Sequence, residues 1–190
     1  MAAQPEVGKP SRKLKWTLAL SLLVILIGAS VFLAVGGPAG LAKSPGLFGT
    51  KANLFSDLNL IAQIVLVAGL SLGMVLAHRG NITAHQYNQT TWVLFNIVLT
   101  IFIMSASYFQ NVLPGLLGNL NQAFGLVSTI HAVLGLLAIL CGVYLILRMN
   151  KLIPKKWRIK NWKRLMRLTL ALYILVGVFG LGVYYFWYIR

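Results

Sequence analysis

Acid is nearly absent from this chain: Glu6 and Asp57 are its only carboxylates, against seventeen Lys and Arg, for a formal net charge of +15. A paired-carboxylate hydrolase or an all-oxygen cage for a divalent cation therefore has no raw material. Cysteine is limited to Cys141, which excludes an intramolecular disulfide and a thiolate cluster and reads as a small buried apolar residue. Charged residues make up only 10% of the 190, too little polar surface to wrap a soluble core of that size. A phosphate-binding loop and a nucleophile constellation are lacking too, so the chain reads as non-enzymatic. Without internal repeats or paired intramembrane charges it does not read as a channel or transporter.

What the chain does have is five apolar runs, Trp16 to Gly36, Leu58 to Ala77, Thr91 to Phe109, Leu126 to Leu147 and Leu168 to Ile189. Each is near the ~20 residues that a helix needs to cross a ~30 Å hydrocarbon layer. The expected fold is all-α: a polytopic membrane helix bundle of five transmembrane helices, over about 16–36, 58–77, 84–110, 126–147 and 168–189. A basic N-terminal segment, 1–15, precedes the membrane domain, 16–190. The first run is too long for the h-region of a signal peptide and reads as a retained helix. The expected location is a cell inner membrane or plasma membrane, with several passes.

Lys and Arg number four before the first run, then two, one, none and nine between successive runs, and one at the end. Alternate segments hold 14 against 3, which by the positive-inside rule places the N-terminus and the long basic loop in the cytoplasm and the C-terminus outside. The cations gather at helix ends, which argues against a nucleic-acid partner. The loop 148–167 interleaves Lys155, Lys156, Arg158, Lys160, Lys163 and Arg164 with Trp157 and Trp162, a mixture suited to anionic lipid headgroups. The segment Gly37 to Asp57 is rich in Gly and Pro and reads as an irregular outer loop.

Thr83 and Gln86 have capping-box spacing and predict a third helix beginning at Ala84. At 100° per residue His85, Gln89, Trp92, Asn96, Thr100, Ser107 and Gln110 form one polar stripe along it. Such a stripe faces other helices or a hydrated cavity, and serves either interhelical hydrogen bonding or a functional surface. His131 shares a face with Gly135, Ala138 and Gly142, and Tyr173, Gly177, Gly180 and Tyr184 lie along one line of the last helix. The three histidines, His131, His85 and His78, are the candidate cofactor contacts. His78 and His85 fall near the inner boundary, whereas His131 lies seventeen residues before Arg148, ~25 Å of helical rise away. One haem iron cannot span both, which leaves a transiently held haem or copper at most.

From about Leu76 onward the chain resembles the CtaM/YozB-like family of small polytopic membrane proteins, a domain-of-unknown-function family. The resemblance is carried by Arg79 to His85, Tyr108, Ile130-His131-Ala132, Arg167 to Tyr173, Gly177 and Tyr184-Tyr185. It covers roughly 60% of the sequence. Where the family has a histidine before its last helix, this chain has Asn161 and Trp162. Characterised members take part in maturation of haem-copper terminal oxidases. The resemblance implies an assembly or biogenesis factor here, whose partners are subunits of a respiratory complex. An accessory structural subunit of a larger membrane complex and a haem b electron-transfer protein are the alternatives.

Overall fold

The computed structural model describes residues 43–104, 107–109 and 112–190. The first apolar run, the N-terminal basic segment and Gln110 lie outside the described residues. Four long helices dominate, α1 (Leu54–His78), α2 (Ile82–Leu99), α3 (Ala123–Met149) and α4 (Trp162–Tyr184). They correspond to the second to fifth runs. Among the described residues there is no strand, only an isolated bridge between Pro45 and Asn53.

Local chemistry sets the helix boundaries, and several differ from the sequence expectation. Helix α1 begins at Leu54, four residues before the apolar run, because the Asn53 side chain caps it by accepting from Ser56 N at 2.9 Å. Asp57 is consequently in the first turn, not the loop, where a carboxylate suits the helix dipole. Helix α2 begins at Ile82 and is capped by Asn81, which accepts from Ala84 N at 3.1 Å, so Thr83 is not the cap. The basic loop is shorter than its charges suggested, since Trp162, Lys163 and Arg164 already belong to α4. Wider π turns continue α2 over Thr100–Met104 and α4 over Tyr185–Ile189.

Three helices, Leu54–His78, Ala123–Met149 and Trp162–Ile189, are long and apolar enough to cross a membrane. Their outer faces remain apolar: Ile64, Leu72, Leu136, Leu140 and Val178 are each more than half exposed. Surface of this kind requires lipid, not water. Helix α2 is set apart by its first half, which carries Thr83, His85, Gln86, Asn88, Gln89, Thr90 and Thr91.

The helices form a ring in which α1 packs on α2, α2 on α3, α3 on α4 and α4 back on α1. Leu66, Leu70, Val93, Ala138, Ile146, Tyr173 and Val176 make its core. Polar side chains stitch α2 to the backbone of α1. His85 Nδ1 donates to Gly73 O at 2.7 Å, Asn88 Nδ2 to Gly69 O at 2.8 Å, and Gln89 Nε2 to Leu70 O at 3.0 Å. Glycine makes this approach feasible. A Cβ on Gly69 would fall on the Trp92 indole, and one on Gly73 would fall on the amides of Gln89 and Asn88. The α3–α4 contact uses the same device twice: His131 lies over Gly180, and the Tyr173 hydroxyl lies over Gly142. The small-residue stripes of both sequences thus receive side chains from the opposite helix.

Gly69→Ala is expected to destabilise the bundle by about 1–3 kcal/mol, because the rigid indole of Trp92 must move to admit a methyl group. Thermal melts of the detergent-solubilised protein check this. Gly118→Ala is the control, since nothing lies within 4 Å of its Cβ position, and its melt should be unchanged or slightly higher.

Candidate functional site

The ring of helices encloses a cavity of about 900 Å³. Leu66 and Val67 of α1, Asn96 of α2, Ala138 of α3 and Tyr173 and Val176 of α4 line its deep part. Ser56, Ser128, Tyr184, Trp187 and Tyr188 line the end nearer the start of α1. Both π turns contribute, through Thr100, Ile103 and Met104 on one side and Trp187 and Tyr188 on the other. A π turn widens the helix locally and is frequent at functional sites.

A buried aspartate lies behind that end, bonded to the lining residue Tyr184. Asp57 is fully buried and accepts from Leu47 N at 2.5 Å, from Phe48 N at 3.1 Å and from the Tyr184 hydroxyl at 2.5 Å. The Tyr184 hydroxyl is also 3.0 Å from Thr50 Oγ1, and Ser56 Oγ donates to the Tyr188 hydroxyl at 2.8 Å. Trp187 Nε1 donates to Ser128 Oγ at 3.0 Å. The aromatic cluster at the end of α4 therefore bonds inward: Tyr184 is 8% exposed, and only Tyr185 of this group is largely exposed. Sequence reasoning missed this latch. Its signal was the single acid of the described chain, four residues after an asparagine cap.

Inside the cavity, His131 is oriented from one side. Its Nδ1 lies 3.0 Å from Val176 O. A carbonyl only accepts, so Nδ1 carries the proton and Nε2 of the neutral ring is left as an acceptor. Deeper, Asn96 Nδ2 donates to the Tyr173 hydroxyl at 3.4 Å. Gln63 is buried and donates from Nε2 to the Met104 thioether at 3.4 Å.

The three histidines do not converge. His85 is buried against Gly73 O, His78 turns back to Met74 O of its own helix at 2.9 Å on the surface, and His131 faces α4. Of the polar stripe, Gln89 holds α1, Asn96 holds α4, Thr100 donates to Met104 Sδ at 3.8 Å, and Ser107 lines the cavity. Asn88, which sequence reasoning left out of the stripe, supplies one of the α1 contacts and also accepts from Trp92 Nε1 at 3.2 Å. A haem held between two axial imidazoles does not fit the cavity. Among the described residues its wall offers one histidine and no Lys or Arg to meet propionates. Among the described residues no group of three His, Cys, Asp or Glu side chains comes together to hold a metal ion.

At the opposite end the basic loop is built, not slack. Lys155–Trp157 form a single 3₁₀ turn. The Tyr144 hydroxyl accepts from Ile159 N at 2.8 Å and donates to Trp157 O at 3.1 Å, while Arg158 Nε donates to Ile153 O at 3.0 Å. Trp157 is 70% exposed beneath the Lys156 ammonium, and Arg148 and Lys163 both approach the Trp162 ring. Lys160 and Arg164 are exposed beside them.

Asp57→Ala is expected to cost about 3 kcal/mol or more, because two amides and a phenol lose their shared buried acceptor. Asp57→Asn, which keeps an acceptor oxygen, should cost less. Proteolysis of the loop 44–53 in detergent provides the measurement: cleavage should be fast in Asp57→Ala, intermediate in Asp57→Asn and slow in the parent.

Comparison of the chain with protein-family models, with curated proteins and with solved structures gives no match.

Proposed function

We propose that this chain is a multi-pass membrane protein of five transmembrane helices, with its N-terminus cytoplasmic and its C-terminus outside. In this reading it acts without catalysis as an assembly factor for a haem-copper respiratory oxidase in a cell inner or plasma membrane. The observation that carries a holding role is the cavity. Its polar groups are one oriented imidazole, amides and phenols, which bind and orient a guest, and they sit in a wall that is otherwise apolar. The 14 to 3 division of cations supports the orientation. The rigid basic finger, with Trp157 and Leu152 exposed among cations, suits anionic headgroups and the inner edge of a partner subunit. The ligand set argues that oxidase subunits, not a resident haem, are what the protein handles.

Deleting the gene should lower the oxidase absorbance of the membranes, while the purified protein is colourless and free of stoichiometric metal. Unchanged oxidase content in the deletion strain overturns the assembly reading. Stoichiometric co-purification with the mature complex in mild detergent would instead identify an accessory structural subunit.

A further inference from the structure

At the end of the bundle where α1 begins and α4 finishes, two separate connections turn large apolar side chains outward. In the loop before α1, Leu47 and Phe48 are each more than half exposed. They are held there, because the backbone that carries them is committed to the protein. Both of their amides donate to Asp57, Ser44 O accepts from Leu54 N at 3.1 Å, and Lys51 N donates to Tyr188 O at 3.2 Å. Gly46 lets the chain pass this close, since a Cβ there would fall against Ala52 O and Asp57 Oδ2. The second connection joins α2 to α3 through a 3₁₀ turn, Leu113–Gly115, and one helical turn, Leu116–Asn119. Leu113 and Leu117 are exposed on it, the latter by 85%. The sequence has no charged residue between Arg79 and Arg148, so nothing in this connection offsets that apolar surface.

Helix α1 has 25 residues, ~37 Å at 1.5 Å per residue, against a ~30 Å hydrocarbon layer. Its first turn, and the loops at that end, therefore reach the boundary of the layer. The loop before α1 is bonded to the α1–α4 edge of the ring, through Asp57, Tyr184 and Tyr188. The other connection closes the α2–α3 edge, which lies opposite. A protein partner covers one side of a bundle, whereas apolar side chains at opposite edges of one end suit a medium that surrounds it. Lys43 and Lys51 are exposed and flank Leu47 and Phe48 in the loop. Long cationic side chains beside apolar ones reach lipid phosphates while their stems stay on apolar surface. We propose that Leu47, Phe48, Leu113 and Leu117 insert into the headgroup boundary of the bilayer and fix the depth of this end of the bundle, with Lys43 and Lys51 on lipid phosphates. The proposal rests on the reading of the chain as membrane-spanning, and not on its orientation or on a role in oxidase assembly.

The test is electron paramagnetic resonance of single nitroxide labels on the full-length chain, one chain to a lipid nanodisc, in a Cys141→Ala background. Labels are placed by Phe48→Cys and Leu117→Cys. Leu140→Cys, on the outer face of α3, and Arg79→Cys, in the exposed turn between α1 and α2, are the controls. Collision with oxygen, which dissolves in lipid, is compared with collision with a nickel chelate confined to water. At positions 48 and 117 the oxygen-to-chelate ratio is expected about tenfold above that of Arg79→Cys, because a polar chelate is excluded from apolar surroundings, and below that of Leu140→Cys. A ratio equal to that of Arg79→Cys at either position overturns the proposal. Exclusion of both reagents, the mark of a site covered by protein, overturns it as well. Leu140→Cys judges the membrane-spanning reading separately. A lipid ratio there with water ratios at positions 48 and 117 sinks the anchor alone, whereas a water ratio at position 140 sinks both. Every label replaces an exposed side chain, so the labelled chains should keep the helicity and monodispersity of the parent.

Discussion

The close approach of α2 to α1 and of α3 to α4 depends on one interaction: a polar side chain of one helix donating to a backbone carbonyl of its neighbour. In apolar surroundings a side-chain donor needs an internal partner, and the carbonyl groups of a facing helix are the acceptors always at hand. Those carbonyls already accept one bond from the residue four positions later. A second donor can reach them where that later residue does not shield them. Gly73 stands four residues after Gly69, whose carbonyl receives Asn88, and Gly180 stands four residues after Val176, whose carbonyl receives His131. The Cβ positions of both glycines fall on or against the visiting side chains. At these two carbonyls a glycine leaves the approach open, whereas Gly73 O and Leu70 O receive His85 and Gln89 with Ala77 and Met74 four residues on.

The same constraint explains why the interior is not filled. A ring of four helices brings neighbours into contact along its edges and leaves the diagonals apart. Asn96 to Tyr173 bridges one diagonal, at the long distance of 3.4 Å. The π turns at Thr100–Met104 and Tyr185–Ile189 both lie along the wall of this space. What remains is a chamber whose edges are stitched and whose middle is open, a scaffold that holds its shape without using every polar group it owns.

Much of this was legible in the sequence. Five apolar runs read as membrane-crossing helices, and among the described residues the second, fourth and fifth are helices long and apolar enough to cross one; the stripe that starts at His85 marks the inward face of α2. Small residues in lines on α3 and α4 signalled close approach, and they do meet His131 and Tyr173. Partners were not legible, because a backbone carbonyl carries no residue signature of its own: nothing in the sequence singles out Leu70 O or Gly73 O as acceptors. Aromatic residues crowded at a helix end have the composition of an interfacial belt, yet Tyr184, Trp187 and Tyr188 bond inward to Asp57, Ser128 and Ser56. Composition is blind to which side of a helix end faces its neighbours. The cavity was hidden for the same reason, since it arises from the spacing between helices and from π geometry that no periodicity announces.

The latch at Asp57 bears on the order in which the chain is built. Tyr184, which closes over the carboxylate, is synthesised 127 residues after it, when α1, α2 and α3 have already emerged. Until then the aspartate has only the amides of its own loop, and water is its cheapest remaining partner. The end of α1 therefore stays at the membrane surface through most of synthesis. Arrival of the last helix, with Tyr184 and Tyr188, is the event that draws it under cover. A bond between the first and last of the described helices thereby makes the fit of α4, not of α2 or α3, the step that covers this end of α1.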